Sequence, residues 1–199
     1  MCYRNCFQFS VRWGGLVGLL VCLPSFLLAQ SDAEWQRAER GIERLAPGAF
    51  AEMPAAVRGE LERRGCRVPQ VGGAFGRHRS NVISGRFARA RERDWAVLCS
   101  RGDSSRVLLF WGGRADSVEA WEASADAGWL QAMGKAGIQY SRYIAVADSA
   151  SVDRHARDAG APLPAAAVTH EGLEAGFAGK ASSVFYWTGG QRYELQGGD

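Results

Sequence analysis

A chain of 199 residues, 47% hydrophobic and 23% charged, has room for one domain with a real core, and this composition excludes wholesale disorder. The formal charge is +3, and the basic residues are almost all Arg, with Lys at 135 and 180 alone. Bulk electrostatics therefore name no partner.

The first thirty residues stand apart from the rest. Arg4 and Arg12 precede an apolar run over residues 16–29, broken late by Pro24 and followed at once by Gln30-Ser31-Asp32. A basic start, a short apolar stretch and a small residue near its end describe a secretory signal peptide. The run is shorter than the roughly 20 residues of a membrane-crossing helix. The expectation is a signal peptide over 1–29, cleaved after Ala29 or Gln30, and a mature domain over 30–199 in the periplasm or outside the cell, with no membrane span after cleavage. The competing readings are an uncleaved anchor and a lipid-modified Cys22, against which the bulky Val21 counts.

Cleavage leaves a formal charge of +1, unevenly spread. Residues 58–106 hold twelve Arg and five acids, whereas residues 107–199 hold seven basic residues and eleven acids. Such a split makes either a basic face for an anionic polymer or two charge sets that neutralise each other across one fold; the second is the expected outcome. Of five cysteines, Cys2, Cys6 and Cys22 leave with the signal peptide, so Cys66 and Cys99 have a single pairing. Two separately buried thiols are the alternative.

Ser31, Asp32 and Glu34 start a helix carrying Trp35, Ala38, Ile42 and Leu45 at three- and four-residue spacing, stopped by Pro47-Gly48. A second helix follows Pro54, with Val57 and Leu61 on one face and Gly65 at its end. Short extended segments are expected at 66–69 and 81–87, and strongly apolar strands at 95–99 and 107–111, joined by a turn at 101–105. The spacing of Val118, Trp121, Ala125, Trp129 and Met133 predicts a helix over 116–133. A strand is expected over 140–146 and a helix from Asp148 or Ser149 to Gly160. Pro162 and Pro164 form a spacer. A helix capped by Thr169 carries Leu173 and Phe177, and residues 181–187 and 192–195 flank Thr188-Gly189-Gly190 as a hairpin. The fold class is therefore α+β, a single domain with a mainly antiparallel sheet and short flanking helices.

No residue set spells out a known chemistry. Arg101-Gly102-Asp103 is the tripeptide that integrins recognise, but Gly and Asp are also what a hairpin turn requires. His170, Glu171 and Glu174 resemble half of a zinc-protease helix; the second His is missing, and a capped, solvated helix start is the expectation. His78, His155 and His170 read as surface residues, and no G-x-S-x-G elbow is present. Arg77, Arg79, Arg86, Arg89, Arg91 and Arg93 are candidate anion-binding residues, without the interleaved aromatics of a single-strand binder. No catalytic residue, metal ligand or cofactor is assigned.

The blocks Arg64-Gly65-Cys66-Arg67-Val68-Pro69-Gln70, Asn81-Val82, Gly85-Arg86-Phe87, Asp94 to Ser100, Leu109-Phe110-Trp111, and His170 to Glu174 with Phe177 and Lys180-Ala181-Ser182 resemble a group of uncharacterised exported bacterial proteins. The resemblance covers most of residues 60–199; it implies export and no activity. Gly85, Phe87, Asp94, Ala96 and Val97 are also similar to the strand–loop–strand frame of the FG-GAP repeat. The loop between them, residues 88–93, holds Arg where calcium needs several carboxylates, so no calcium is expected there.

The functional expectation is an exported, non-catalytic binding module whose partner is an envelope protein or an anionic polymer, not a nucleic acid. The alternative is a small exported hydrolase without a recognisable motif. A pocket gathering His78 or His155 with a carboxylate and a hydroxyl favours the enzyme, and an exposed aromatic or basic face favours the binder.

Overall fold

The computed structural model describes residues 31–75, 79–158, 160 and 168–196. The expected signal peptide, Arg77, His78, and the spacer at Pro162 and Pro164 lie outside them. Helix α1 (Asp32–Arg40) starts as its capping residues predict, with the Ser31 backbone N–H donating to Glu34 Oε2 at 2.7 Å. It stops at Gly41 rather than running on to Leu45. The chain turns instead into β1 (Arg44–Leu45), which pairs antiparallel with β2 (Val68–Pro69). One more helical turn would leave the buried backbone of that second strand without partners. Between these strands α2 (Ala55–Arg63) follows Pro54, buries Val57 and Leu61 as expected, and ends at Gly65, whose φ of +68° suits glycine.

The first sheet is the expected meander of β3 (Val82–Gly85), β4 (Asp94–Arg101) and β5 (Ser104–Phe110). Gly102 and Asp103 form its second turn, with φ of +57° and +59°, the doubly left-handed turn that matches strand twist. Alternation sorts the two faces of this sheet. Trp95, Val97, Leu108 and Phe110 face α2, packing with Phe50, Met53, Val57 and Leu61. Ala96, Leu98, Val107 and Leu109 face the other way, into the core shared with the second sheet. A disulfide joins Cys66 to Cys99, with Cα atoms 5.2 Å apart, and ties the segment after α2 to β4.

Residues 116–133 do not form the expected helix. They run as β6 (Val118–Ala120), β7 (Ser124–Ala125), a 3-10 turn over Asp126–Trp129, and β8 (Leu130–Ala132). The first two complete the open edge of β5, with Val118 opposite Phe110 and Ala125 opposite Ser104, and β8 pairs with β9 (Ile138–Tyr140). The hydrogen-bonding demand of a buried strand edge outweighs helical spacing here.

The second sheet follows chain order: β10 (Arg142–Ala147), β11 (Gly172–Phe177), β12 (Ser182–Thr188) and β13 (Gln191–Gln196). Helix α3 (Ser149–Asp158) comes after β10, its first turn capped by Asp148 accepting from the Ser151 N–H at 2.7 Å. It covers the outer face, setting Val152 and Ala156 against Val184, Tyr186 and Leu195. The helix expected from Thr169 is instead β11, held between β10 and β12. Glycine makes that fit: a Cβ on Gly172 would stand 2.9 Å from Val152, and one on Gly176 would stand 2.4 Å from the Ala181 carbonyl oxygen. The layers run α2, first sheet, second sheet, α3, an α+β domain with mainly antiparallel sheets. Among the described residues no helix is long and apolar enough to cross a membrane.

Candidate functional site

The two sheets do not cover each other completely. Along β13, Arg192, Glu194 and Gln196 stand opposite Trp187, Phe185 and Ser183 of β12, so they share the inner face. All three are exposed. The uncovered strip opens a cleft of about 430 Å³ with the residues after β6 on its far side.

Two aromatic pairs wall this cleft. Trp129 and Phe177 have ring centroids 4.5 Å apart, and Trp121 and Phe185 lie 4.3 Å apart. Each pair carries a guanidinium: Arg142 lies 4.5 Å over Trp129, and Arg192 lies 5.0 Å over Trp121. The indoles are held in orientation, Trp129 Nε1 donating to Ser124 Oγ at 2.8 Å and Trp121 Nε1 to Glu119 Oε1 at 3.1 Å. Arg192 donates to the same Glu119 oxygen at 3.1 Å.

Arg142 is the buried charged group that lines the cleft, only 8% exposed, whereas the other charged lining residue, Glu194, is exposed. Its position follows from how the inner face of the first sheet ends. Beyond Leu98 and Val107 the paired inward positions are Ser100 and Ser105, both buried. Arg142 Nη1 donates to the carbonyl and hydroxyl oxygens of Ser105 at 2.6 and 2.7 Å. The same hydroxyl lies 3.2 Å from Tyr140 Oη, which donates weakly to Asp126 at 3.4 Å. Asp126, fully buried, also accepts from Ser100 Oγ at 2.6 Å and from Arg44 Nη2 at 2.8 Å. Burial pushes Arg142 below its ordinary value, an effect opposed by Tyr140 and Asp126. Burial, with the Asp126 charge, holds the Tyr140 phenol far above its own.

The sequence-derived candidates scatter. Arg86 pairs with Glu171, which accepts from its backbone N–H at 2.7 Å and from its guanidinium at 3.4 Å. Arg89 lies 3.8 Å from Glu92, and Arg93 donates to Ser84 Oγ at 2.9 Å. Arg79 and Arg91 are exposed. Three other arginines, Arg64, Arg101 and Arg106, meet around a smaller pocket beside Cys99. Arg101-Gly102-Asp103 occupies a hairpin turn, and its Asp103 carboxylate lies 3.4 Å from Arg44.

His170, Glu171 and Glu174 do not share a helical turn, because the segment is extended. His170 is buried rather than on the surface. Its Nε2 donates to the Trp187 carbonyl at 2.8 Å, so its Nδ1 is the acceptor for Tyr186 Oη at 2.9 Å. Glu174 accepts from Ser182 Oγ at 2.9 Å and from the Tyr143 hydroxyl. His155 is half-buried on α3, its Nδ1 without a hydrogen-bond partner among the described residues. Among the described residues no group of three His, Cys, Asp or Glu side chains is placed to hold a metal ion.

In the loop after β3, Asp94 takes the central role. It is fully buried and accepts from the N–H groups of Phe87 at 2.9 Å, Ala88 at 3.0 Å and Gly112 at 2.8 Å. Burial raises its carboxyl above the usual range against the pull of those donors. The carboxylate of the FG-GAP-like frame thus holds backbone. Comparison of the chain with protein-family models, with curated proteins and with solved structures found no match.

Proposed function

We propose that the chain is an exported, non-catalytic binding module whose ligand lies in the aromatic cleft between the sheets. The cleft itself carries this reading: four aromatic side chains from the two sides of the domain are held around about 430 Å³ of space open to solvent. Pockets of roughly 300–1,000 Å³ with mostly apolar walls and a few placed polar groups are the usual form of small-ligand sites. No histidine or cysteine is among the described residues that line it. Ser183, on the rim, donates to the exposed Glu194 at 3.0 Å. The disulfide and the resemblance to exported bacterial proteins support the exported part of the reading.

Native mass spectrometry tests the proposal. Mature protein incubated with a small-molecule extract of a bacterial envelope should retain an adduct that the Trp121→Ala/Phe185→Ala variant loses. Chromogenic ester, glycoside and peptide substrates should give no turnover. Turnover abolished by Ser183→Ala, or an adduct indifferent to the aromatic substitutions, would overturn the reading in favour of a hydrolase or of another site.

A further inference from the structure

We propose that the cleft takes an amphipathic organic anion, its apolar body against the four aromatic rings and its carboxylate on Arg142. This deepens the binding-module reading and rests on it. The inference starts from an unmatched donor set. A guanidinium carries five N–H donors. Among the described residues, those of Arg142 with hydrogen-bond partners lie on Nη1 alone, and both acceptors belong to Ser105, a neutral residue.

Among the described residues no carboxylate lies within salt-bridge distance of Arg142, although the side chain is nine-tenths buried. The nearest buried carboxylate, Asp126, is already matched by Arg44 at 2.8 Å and reaches Arg142 only through Tyr140 and Ser105. Among the described residues Nε and Nη2 have no hydrogen-bond partner, and Arg142 lines the cleft. A planar fork of donors suits a carboxylate in two-point contact. Most of the remaining wall is apolar: Trp121, Trp129, Phe177 and Phe185 present ring faces and edges, which favour a flat or chain-like apolar body, and its polar part is Ser182, Ser183, Glu194 and Gln196. Glu194 on the rim sets the sense of entry, because a head group near it is repelled and one at Arg142 is held.

Two kinds of body carry such a head, an aromatic ring and an aliphatic chain, and paired probes separate them. Binding of 2-naphthoate and decanoate to the full mature protein is measured by tryptophan fluorescence and calorimetry, each beside its neutral amide. At least one acid should bind roughly tenfold or more tightly than its amide, as a charge-assisted pair requires. The better acid names the body. Arg142→Met should bring acid and amide to equal affinity. Because Arg142 also holds Ser105, a second variant guards against misfolding: Glu194→Gln should tighten the acid severalfold at low salt and leave the amide unchanged.

Acid and amide binding equally to the unmodified protein would overturn the anionic head and leave the cleft as a binding site. No binding by any probe would overturn the amphiphile itself. The envelope adduct, with its dependence on Trp121 and Phe185, would still decide the broader reading.

Discussion

At the scale of single residues, Asn81 does more for this fold than its place in the sequence suggests. It is buried in a left-handed conformation, φ +69°, that Asn tolerates better than most side chains. Its Nδ2 donates to the carbonyls of Pro69 at 2.7 Å and Arg142 at 3.0 Å, and its Oδ1 accepts from the Ile144 N–H at 3.0 Å. One side chain thus fastens β2 and β10 to the start of the first sheet. Asn81→Ala leaves three buried backbone groups unpaired and should cost about 2–4 kcal/mol, read as a lowered urea midpoint at unchanged slope. A loss under about 1 kcal/mol would mean that water replaces the amide. None of this was legible beforehand, since two of the partners are more than sixty positions away. Cys66 and Cys99 were legible, because the proposed cleavage leaves a single way to pair. Gly85 was legible as part of a Gly-x-Phe frame, and the structure supplies its reason: a Cβ there would sit 2.6 Å from the ring of Phe87.

At the scale of elements, the apolar strands β4 and β5 and the glycine-turned hairpin of β12 and β13 could be read directly, because alternation and turn chemistry are local. Two of the segments that differ from expectation, 116–133 and the stretch from Thr169, do so for one reason. Residues four apart share a face of a helix and also a face of a strand, so Leu173 and Phe177, or Trp121 and Ala125, satisfy both patterns. What decides between them is the unpaired edge of another strand, which periodicity does not contain. The same ambiguity hid the cleft. The spacing of Trp121, Trp129 and Phe177 predicts the buried stripes of helices, whereas the structure sets Trp129 in a 3-10 turn, Phe177 in a strand and Trp121 between strands, on the two sides of an opening. The disulfide acts at this scale too. It joins residues 33 apart, for which loop closure is worth about 3.5–4 kcal/mol. Cys66→Ser/Cys99→Ser should therefore lower the thermal midpoint by roughly 8–15 °C. A shift of only a degree or two would show that α2 and its packing hold the segment without the bond.

For the whole molecule, the uneven charge of the sequence is partly resolved by folding. Arg86 of the basic span meets Glu171 of the acidic remainder, which supports neutralisation there. Arg64, Arg101 and Arg106 meet beside Cys99, and of these Arg64 pairs with Glu60 at 2.6 Å. The proposed export is tested on the same scale: the mature N-terminus should be Gln30 or Ser31 by mass spectrometry of an envelope fraction, and an intact Met1 in the cytoplasm would sink it. The position of the disulfide also bears on how such a chain comes together in time. Both thiols precede every strand of the second sheet, and the elements they join, α2 with β4 and β5, are complete by residue 110. If the proposed export holds, a chain emerging N-terminus first into an oxidising space holds Cys66, Cys99 and their scaffold before the first residue of β10 appears. The covalent tie can thus close on a finished half while the remainder is still being delivered, and the later strands, which add to one another in chain order, dock against a platform already locked.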